Sequence, residues 1–359
     1  MNFKERRYIL VETKVALVKK FESDFKYINE AATVIRDGGL VVFPTETVYG
    51  LGADATNQEA VKNIFRAKGR PQDNPLIVHV ASKDVSQYVK NIPAIAKVLI
   101  DKFWPGPLTI ILEKKDVIPD VTSANLSTVG MRMPNSEIAL NLIKYSGKPI
   151  AAPSANISGR PSPTDMNRCV EDLDGRVDYI LGGENSDIGV ESTIIDCTVS
   201  PPIVLRPGGI TIEMLKEIDS SIELDKGLMK KPTQDIKPKA PGMKYRHYAP
   251  NAKLKIIKGK NEKTIEIMNE IVENYIGNEK KVAIITTDEN IRYFNQGEIL
   301  SLGSSKHLEE IAKNLFEVLR KCDDLKVDYI VCQGFEEYGV GLAIMNRLNK
   351  AAGYDIIEV

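Results

Sequence analysis

The chain of 359 residues has only four cysteines, Cys169, Cys197, Cys322 and Cys332, and three histidines. The cysteines are far apart and form no CxxC pair, so neither a disulfide framework nor a Cys/His zinc site is encoded. Reduced, mostly buried thiols are expected instead. Excess charge of one sign is also missing. With 48 Lys+Arg against 49 Asp+Glu the formal net charge is -1, too small to hold a polyanion or a membrane surface through a global field. No window approaches ~18 uninterrupted apolar residues. The opening stretch MNFKERRYILVETKVALVKK carries charges through its apolar part and has no small-residue cleavage site, unlike a signal peptide. A cytoplasmic protein without membrane contact is therefore expected. A Walker A sequence, internal repeats and low-complexity tracts are absent as well.

What is present is an ordinary globular composition, 43% apolar and 27% charged, in a chain long enough for about two domains. Periodicity predicts a helix over 27–37, closed by Gly38-Gly39, and then a buried strand over 40–43. Helices are expected over 59–67, 93–103 and 136–145, and strands over 76–80, 108–113, 127–132, 149–152, 179–181, 193–196 and 203–205. The alternation is irregular, which favours a twisted open mixed α/β (α+β) sheet over a regular doubly wound one. This first domain is expected to span 1–217. The stretch KKPTQDIKPKAPGMKYRHYAP carries four prolines and no apolar periodicity, so 218–250 reads as an extended connector. Beyond it, strands over 252–257, 282–286 and 329–332 alternate with helices over 263–275, 308–321 and 342–352. A small Rossmann-like α/β domain with a parallel sheet is predicted for 251–359.

Several motifs admit both a functional and a plain reading. GLGADA matches the G-x-G-x-x-G/A fingerprint, but six residues separate its first glycine from the preceding strand, so a tight turn is the expected reading. Lys68 and Arg70 lie in KGRPQDNP, either a solvated turn or an oxyanion clamp. The loops APSANISG, GVEST and LRPGG sit at predicted strand ends, where α/β proteins place ligands, though their residues are also ordinary turn formers. Arg132 lies on an otherwise apolar strand and needs an anion partner if buried.

Taken in order, PTETVYGLG, KGRPQDNPLIVH, WPGPLT, VGMRMP, APSANISG, GVESTIID and LRPGG resemble the YrdC-like family of threonylcarbamoyl-AMP synthases. PGMKYRHYAP followed by a small α/β domain is similar to the long, two-domain form. The resemblance implies a nucleotidyltransferase joining L-threonine, bicarbonate and ATP into threonylcarbamoyl-adenylate with release of pyrophosphate. That is the first step of threonylcarbamoyladenosine formation at position 37 of ANN-decoding tRNAs.

It also implies a site. Lys68 and Arg70 would act on the phosphates as catalytic groups, and Thr47, His79, Arg132 and Ser192 would hold threonine. Arg70, Asn74, Thr128, Ala152, Ser154, Ser162, Arg206 and Tyr248 would meet ATP, with Asn156 in support and Tyr248 part of a connector lid. Mg2+ would arrive with the triphosphate, without a protein metal site. The threonine ammonium would lose its proton either to His79 or to solvent before closure. A downstream tRNA threonylcarbamoyl transferase complex is the expected partner, with at most weak contact to tRNA itself. The rival readings are a double-stranded RNA or tRNA-binding module without this catalysis, and another carbamoylation reaction. The former would have to use Lys68, Arg70, Arg132 and Arg206 as a basic concavity.

Overall fold

A computed structural model describes residues 11–231, 238–242 and 247–359. The larger unit comprises β1 (Lys14–Leu17), α1 (Phe21–Arg36), β2 (Val41–Phe43), β3 (Gly50–Asp54), α2 (Gln58–Lys68), β4 (Ile77–His79), α3 (Ala94–Phe103), β5 (Leu108–Glu113) and α4 (Asp120–Ser123). It continues through β6 (Thr128–Arg132), α5 (Glu137–Ser146), β7 (Ile150–Ala152), α6 (Met166–Leu173), β8 (Tyr179–Gly182), β9 (Thr193–Asp196), β10 (Ile203–Arg206), α7 (Ile212–Lys216) and β11 (Glu223–Leu224). Its strands form one mixed sheet in the order β1-β8-β2-β3-β7-β4-β6-β5-β9-β10-β11. This is the twisted mixed sheet expected from the irregular alternation.

Local chemistry sets the elements that carry the site. The Asn57 side chain caps α2 by accepting from the Glu59 and Ala60 amides, and Gly69 ends it in the left-handed region at φ 63°. The helix therefore includes Lys68, one residue beyond the predicted end, and the turn at Gly69 sends Arg70 back towards the same cavity. GLGADA is neither a dinucleotide loop nor a tight turn: Gly50–Asp54 is the buried strand β3, antiparallel to both β2 and β7. Its glycine is steric. A Cβ on Gly52 would lie 2.5 Å from Ile150 Cγ2 and 2.7 Å from Phe43 Cε1.

The smaller unit comprises β12 (Lys253–Lys258), α8 (Asn261–Gly277), β13 (Val282–Thr286), β14 (Glu298–Ser301), α9 (Leu308–Asp324), β15 (Tyr329–Gln333), α10 (Val340–Ala351) and β16 (Ile356–Glu358). Its all-parallel sheet has the order β14-β13-β15-β12-β16. Side-chain alternation divides its core: Ile257, Val282, Ile284 and Val331 pack with α8 residues Met268 and Val272. Leu254, Ile256, Ala283, Ile285 and Ile330 pack with α9 and α10 on the other face. That second cluster continues into the larger unit through Val48 and Val190 and takes in Tyr248. All four cysteines are free and buried. Among the described residues no helix is long and apolar enough to cross a membrane.

Candidate active site

The strand register brings the polar residues to one cavity. In the parallel pair β4–β6, His79 is the partner of Arg132, while antiparallel β7 sets Ala152 beside Ile77 at the other end of β4. Asn74 precedes Ile77 by three positions and Thr128 precedes its partner Gly130 by two, so both sit at the start of this strand pair. The loop after β2, the loop after β7 and the segments flanking β9 and β10 close the remaining sides. The cavity is lined by Thr45, Thr47, Lys68, Arg70, His79, Arg132, Ala152, Ser154, Asn156, Ser158, Glu191, Ser192, Arg206, His247 and Tyr248, among others. Its volume is about 60 Å³, room for a few water molecules.

Eleven of the fourteen residues singled out from the sequence line this cavity; Asn74, Thr128 and Ser162 do not. Ser162 stands one bond behind it, donating its hydroxyl to Glu191 Oε1 at 2.6 Å. Asn74 offers its backbone carbonyl to Arg70 Nη2 at 3.4 Å, and its own amide is buried with neither polar atom hydrogen-bonded. Thr128 is set apart at the far end of β6 from Arg132, four residues or about 13 Å along the strand.

The cations are held in distinct ways. Lys68 is buried, and its ammonium donates to the Ser154 and Asn156 carbonyls, tying α2 to the APSAN loop. Burial, with the Arg70 charge adding to it, lowers its pKa well below the ordinary lysine value. Asn156 does hold that loop: its amide donates to the Ile157 and Arg160 carbonyls, and its oxygen accepts from Ser154 Oγ. Arg206 donates from Nε to the Ser192 carbonyl and from Nη2 to Ser192 Oγ, both at 3.0 Å, and that hydroxyl also pairs with Thr109 Oγ1 at 2.8 Å. Burial brings Arg206 down to about 10, so it stays charged at neutral pH.

Arg132 has the anion partner its buried position requires, for its Nη2 lies 2.7 Å from Glu46 Oε2. Beside it, burial first and the Arg132 charge second push His79 down to about 3. The imidazole is neutral at pH 7 and a weak base. Thr47 is fully buried, its hydroxyl 2.9 Å from that of Thr45.

The connector contributes Pro241, Gly242, His247 and Tyr248 to the lining; its residues 232–237 and 243–246 lie outside the described residues. Tyr248 is buried and stacks on Phe316 of α9, ring centroids 5.1 Å apart. Sequence reasoning missed Glu46, Glu191 and His247, although each stands inside a motif it had marked. Only the tertiary partners of the two glutamates, Arg132 and Arg347, show why a carboxylate is placed there.

The lining carries Lys68, Arg70, Arg132 and Arg206 against Glu191 alone, a local cationic excess in a chain of net charge -1. A mixed sheet whose strand ends pool these cations beneath small hydroxyls defines a YrdC-type unit. Residues 33–208 match the Sua5/YciO/YrdC family model described as telomere recombination, and residues 210–353 match the model for the C-terminal domain of threonylcarbamoyl-AMP synthase. The chain is 48% identical over 333 residues to the threonylcarbamoyl-AMP synthase of Pyrococcus abyssi, covering 92% of this chain and 96% of the relative. With the Bacillus subtilis threonylcarbamoyl-AMP synthase it shares 47% identity, covering 92% and 94% respectively. The crystal structure of P. abyssi Sua5 complexed with L-threonine superposes with a TM-score of 0.90 at 47% identity, over 97% of this chain and 99% of that one. The chain belongs to the threonylcarbamoyl-AMP synthase family and is an enzyme.

Proposed function

We propose that this protein binds ATP, L-threonine and bicarbonate in the cavity lined by Tyr248 and makes L-threonylcarbamoyl-adenylate, the first step of t6A formation at position 37 of ANN-decoding tRNAs. Threonine's ammonium loses a proton, bicarbonate gives up hydroxide that takes this proton as water and leaves CO2, and the amine nitrogen bonds to the CO2 carbon while shedding a second proton to solvent to give a carbamate. A carbamate oxygen then bonds to the α-phosphorus as the bond to the bridging oxygen breaks, and pyrophosphate leaves. The task is one of positioning and charge stabilisation, which needs no catalytic triad.

The observation that carries this reading is the single cavity lined by Arg70 and Arg206 together with Thr47, His79, Arg132 and Ser192. Arg132 would accept the threonine carboxylate as a second anion beside Glu46, and Thr47, His79 and Ser192 would read the hydroxyl and amine. Arg70 and Arg206, with Ser154 and the Ala152 backbone, would meet the phosphates. Asn74 and Thr128, at the start of β4 and β6, would serve a more distant part of the nucleotide. Lys68 would act on the phosphates chiefly by fixing the Ser154 loop. The weak basicity of His79 supports loss of the ammonium proton to solvent before closure. Glu191, which lines the cavity, and Glu46, the partner of Arg132, are both paired with arginines. Among the described residues no cluster of three His, Cys, Asp or Glu side chains could hold a metal ion. Mg2+ fits this site as the companion of ATP, held by phosphate oxygens and water.

An RNA-binding reading fits less well, because Lys68, Arg132 and Arg206 are each at most 5% exposed and closed to a duplex. We place the enzyme in the cytoplasm, upstream of a tRNA threonylcarbamoyl transferase complex. The test is pyrophosphate release from ATP with L-threonine and bicarbonate omitted in turn. Release that requires both is the expected result, and release indifferent to threonine would overturn the assignment.

A further inference from the structure

The larger unit does not complete its own cavity wall. Glu191, in the loop before β9, is a buried carboxylate whose ion-pair partner comes from α10 of the smaller unit. Arg347 Nε donates to Glu191 Oε2 at 2.9 Å, and its Nη2 donates to the Glu191 carbonyl at 3.2 Å. The same guanidinium donates from Nη1 to the Pro207 carbonyl at 2.7 Å, next to Arg206, and lies 5.9 Å from the Tyr248 ring centroid. Arg347 is fully buried. One side chain thus fixes three segments of the cavity: the GVEST loop, the RPGG loop and the connector.

The carboxylate it holds is in use. Burial pushes the Glu191 carboxyl up, but the Arg347 and Arg206 charges and the Ser162 hydroxyl outweigh it and keep the group ionised. Its second oxygen accepts from Ser162. The backbone packs as closely as the side chains: a Cβ on Gly189, at φ +77°, would lie 2.3 Å from Lys313 Cα of α9. A second arginine of the smaller unit pairs in the same way with a buried carboxylate of the larger one. Arg320 of α9 donates from Nη2 to Asp172 Oδ2 at 2.8 Å and to the Pro161 carbonyl at 2.6 Å. Asp172 Oδ2 also accepts the Ile157 amide at 3.1 Å, at the end of the APSAN loop.

We infer that Arg347 is a positioning residue for the nucleotide subsite, acting through Glu191, Ser162 and the Pro207 carbonyl, so that the smaller unit sets ATP affinity from outside the reacting groups. This rests on the reading of the cavity as the ATP and threonine site. A planar fork with donors on three edges suits the role, and an ammonium cannot replace it. Outer partners of this kind typically carry about 10- to 100-fold in affinity when removed, by analogy with metal sites.

The test compares full-length wild type with Arg347→Lys, Arg347→Met and the double variant Arg347→Met/Glu191→Gln. Direct binding of a non-hydrolysable ATP analogue, binding of L-threonine and the thermal midpoint are read for each. Arg347→Met should lose stability, because it leaves a buried carboxylate unpaired. The double variant should recover most of that midpoint while still binding the analogue about tenfold more weakly, with threonine affinity changed less than about threefold. Arg347→Lys, the gentlest change, should bind the analogue several-fold more weakly. Recovery of analogue affinity together with the midpoint in the double variant, or unchanged affinity in Arg347→Lys, would show that Arg347 only packs the interface. If wild type binds the analogue but releases no threonine-dependent pyrophosphate, the proposed reaction fails and the role of Arg347 is still decided by the binding series.

Discussion

His79 and Arg132 are register partners at the ends of adjacent parallel strands, and the buried guanidinium beside the imidazole helps to keep it neutral. Ile77 and Val78 precede His79 in β4, and Val129 and Met131 precede Arg132 in β6, all buried, so each polar side chain is delivered to the cavity by a strand that the core holds.

Burial of His79, with the Arg132 charge beside it, makes stability pH-dependent with a definite sign. His79 has its pKa lowered from 6.5 to about 3 on folding. Between these values the unfolded chain binds the extra proton, so stability is complete above pH 6.5 and falls as the pH drops towards 3. Urea midpoints measured from pH 7 to pH 4 should fall more steeply for wild type than for His79→Asn. Parallel curves would show that His79 does not carry this depression.

Arg70→Ala should lower turnover by roughly 10²-fold, the scale of removing one stabiliser of transition-state charge. Steady-state pyrophosphate release is the measurement. Near wild-type turnover would take Arg70 out of the phosphate site.

Tyr248→Ala removes the ring that stacks on Phe316 and lines the cavity. ATP should bind about tenfold more weakly, about 1.4 kcal/mol, with the circular dichroism spectrum unchanged. An unaltered dissociation constant would separate Tyr248 from the nucleotide.

A chain ended before Pro241 tests how far the larger unit stands alone. A first domain spanning 1–217 would be expected to stay folded by itself, but the structure argues otherwise, because truncation strips Glu191 and Asp172 of Arg347 and Arg320. Breaking one buried pair typically costs about 3–5 kcal/mol. The truncated chain should melt well below the full chain in calorimetry; an equal midpoint would contradict this.

Gly52→Ala should destabilise the protein by about 1–3 kcal/mol through overpacking against Phe43 and Ile150. Chemical denaturation checks it, and a neutral change would mean that β3 can shift to make room.

The parts of this molecule that were legible in the sequence are those governed by local pattern. The apolar runs of β5 and β9 begin and end where the alternation predicts, and the amphipathic repeat of α9 places it at once. Strand β3 was hidden because three of its five residues are small and its two glycines imitate a turn; packing against Phe43 and Ile150 selects them. Helix α6 was hidden because MNRCVEDL buries only Cys169, Asp172 and Leu173, with Asp172 serving an arginine in the other unit. Lys68 and Arg70 could be marked from their spacing, but the αL turn that brings them together depends on Gly69. No local pattern could join Glu191 to Arg347, which are 156 positions apart.

Tyr248 belongs to the connector, yet it stacks on Phe316 of α9 and lines the cavity, so part of the cavity wall is a ring that the smaller unit anchors. A carbamoyl-adenylate formed against that ring would be sheltered from water on one side, and equally kept from the next enzyme until it leaves. Its useful yield is then a race after release, between capture by the acceptor machinery and decay in water. The rate of release would then set the supply of a short-lived intermediate, separately from how fast the bond to phosphorus is made.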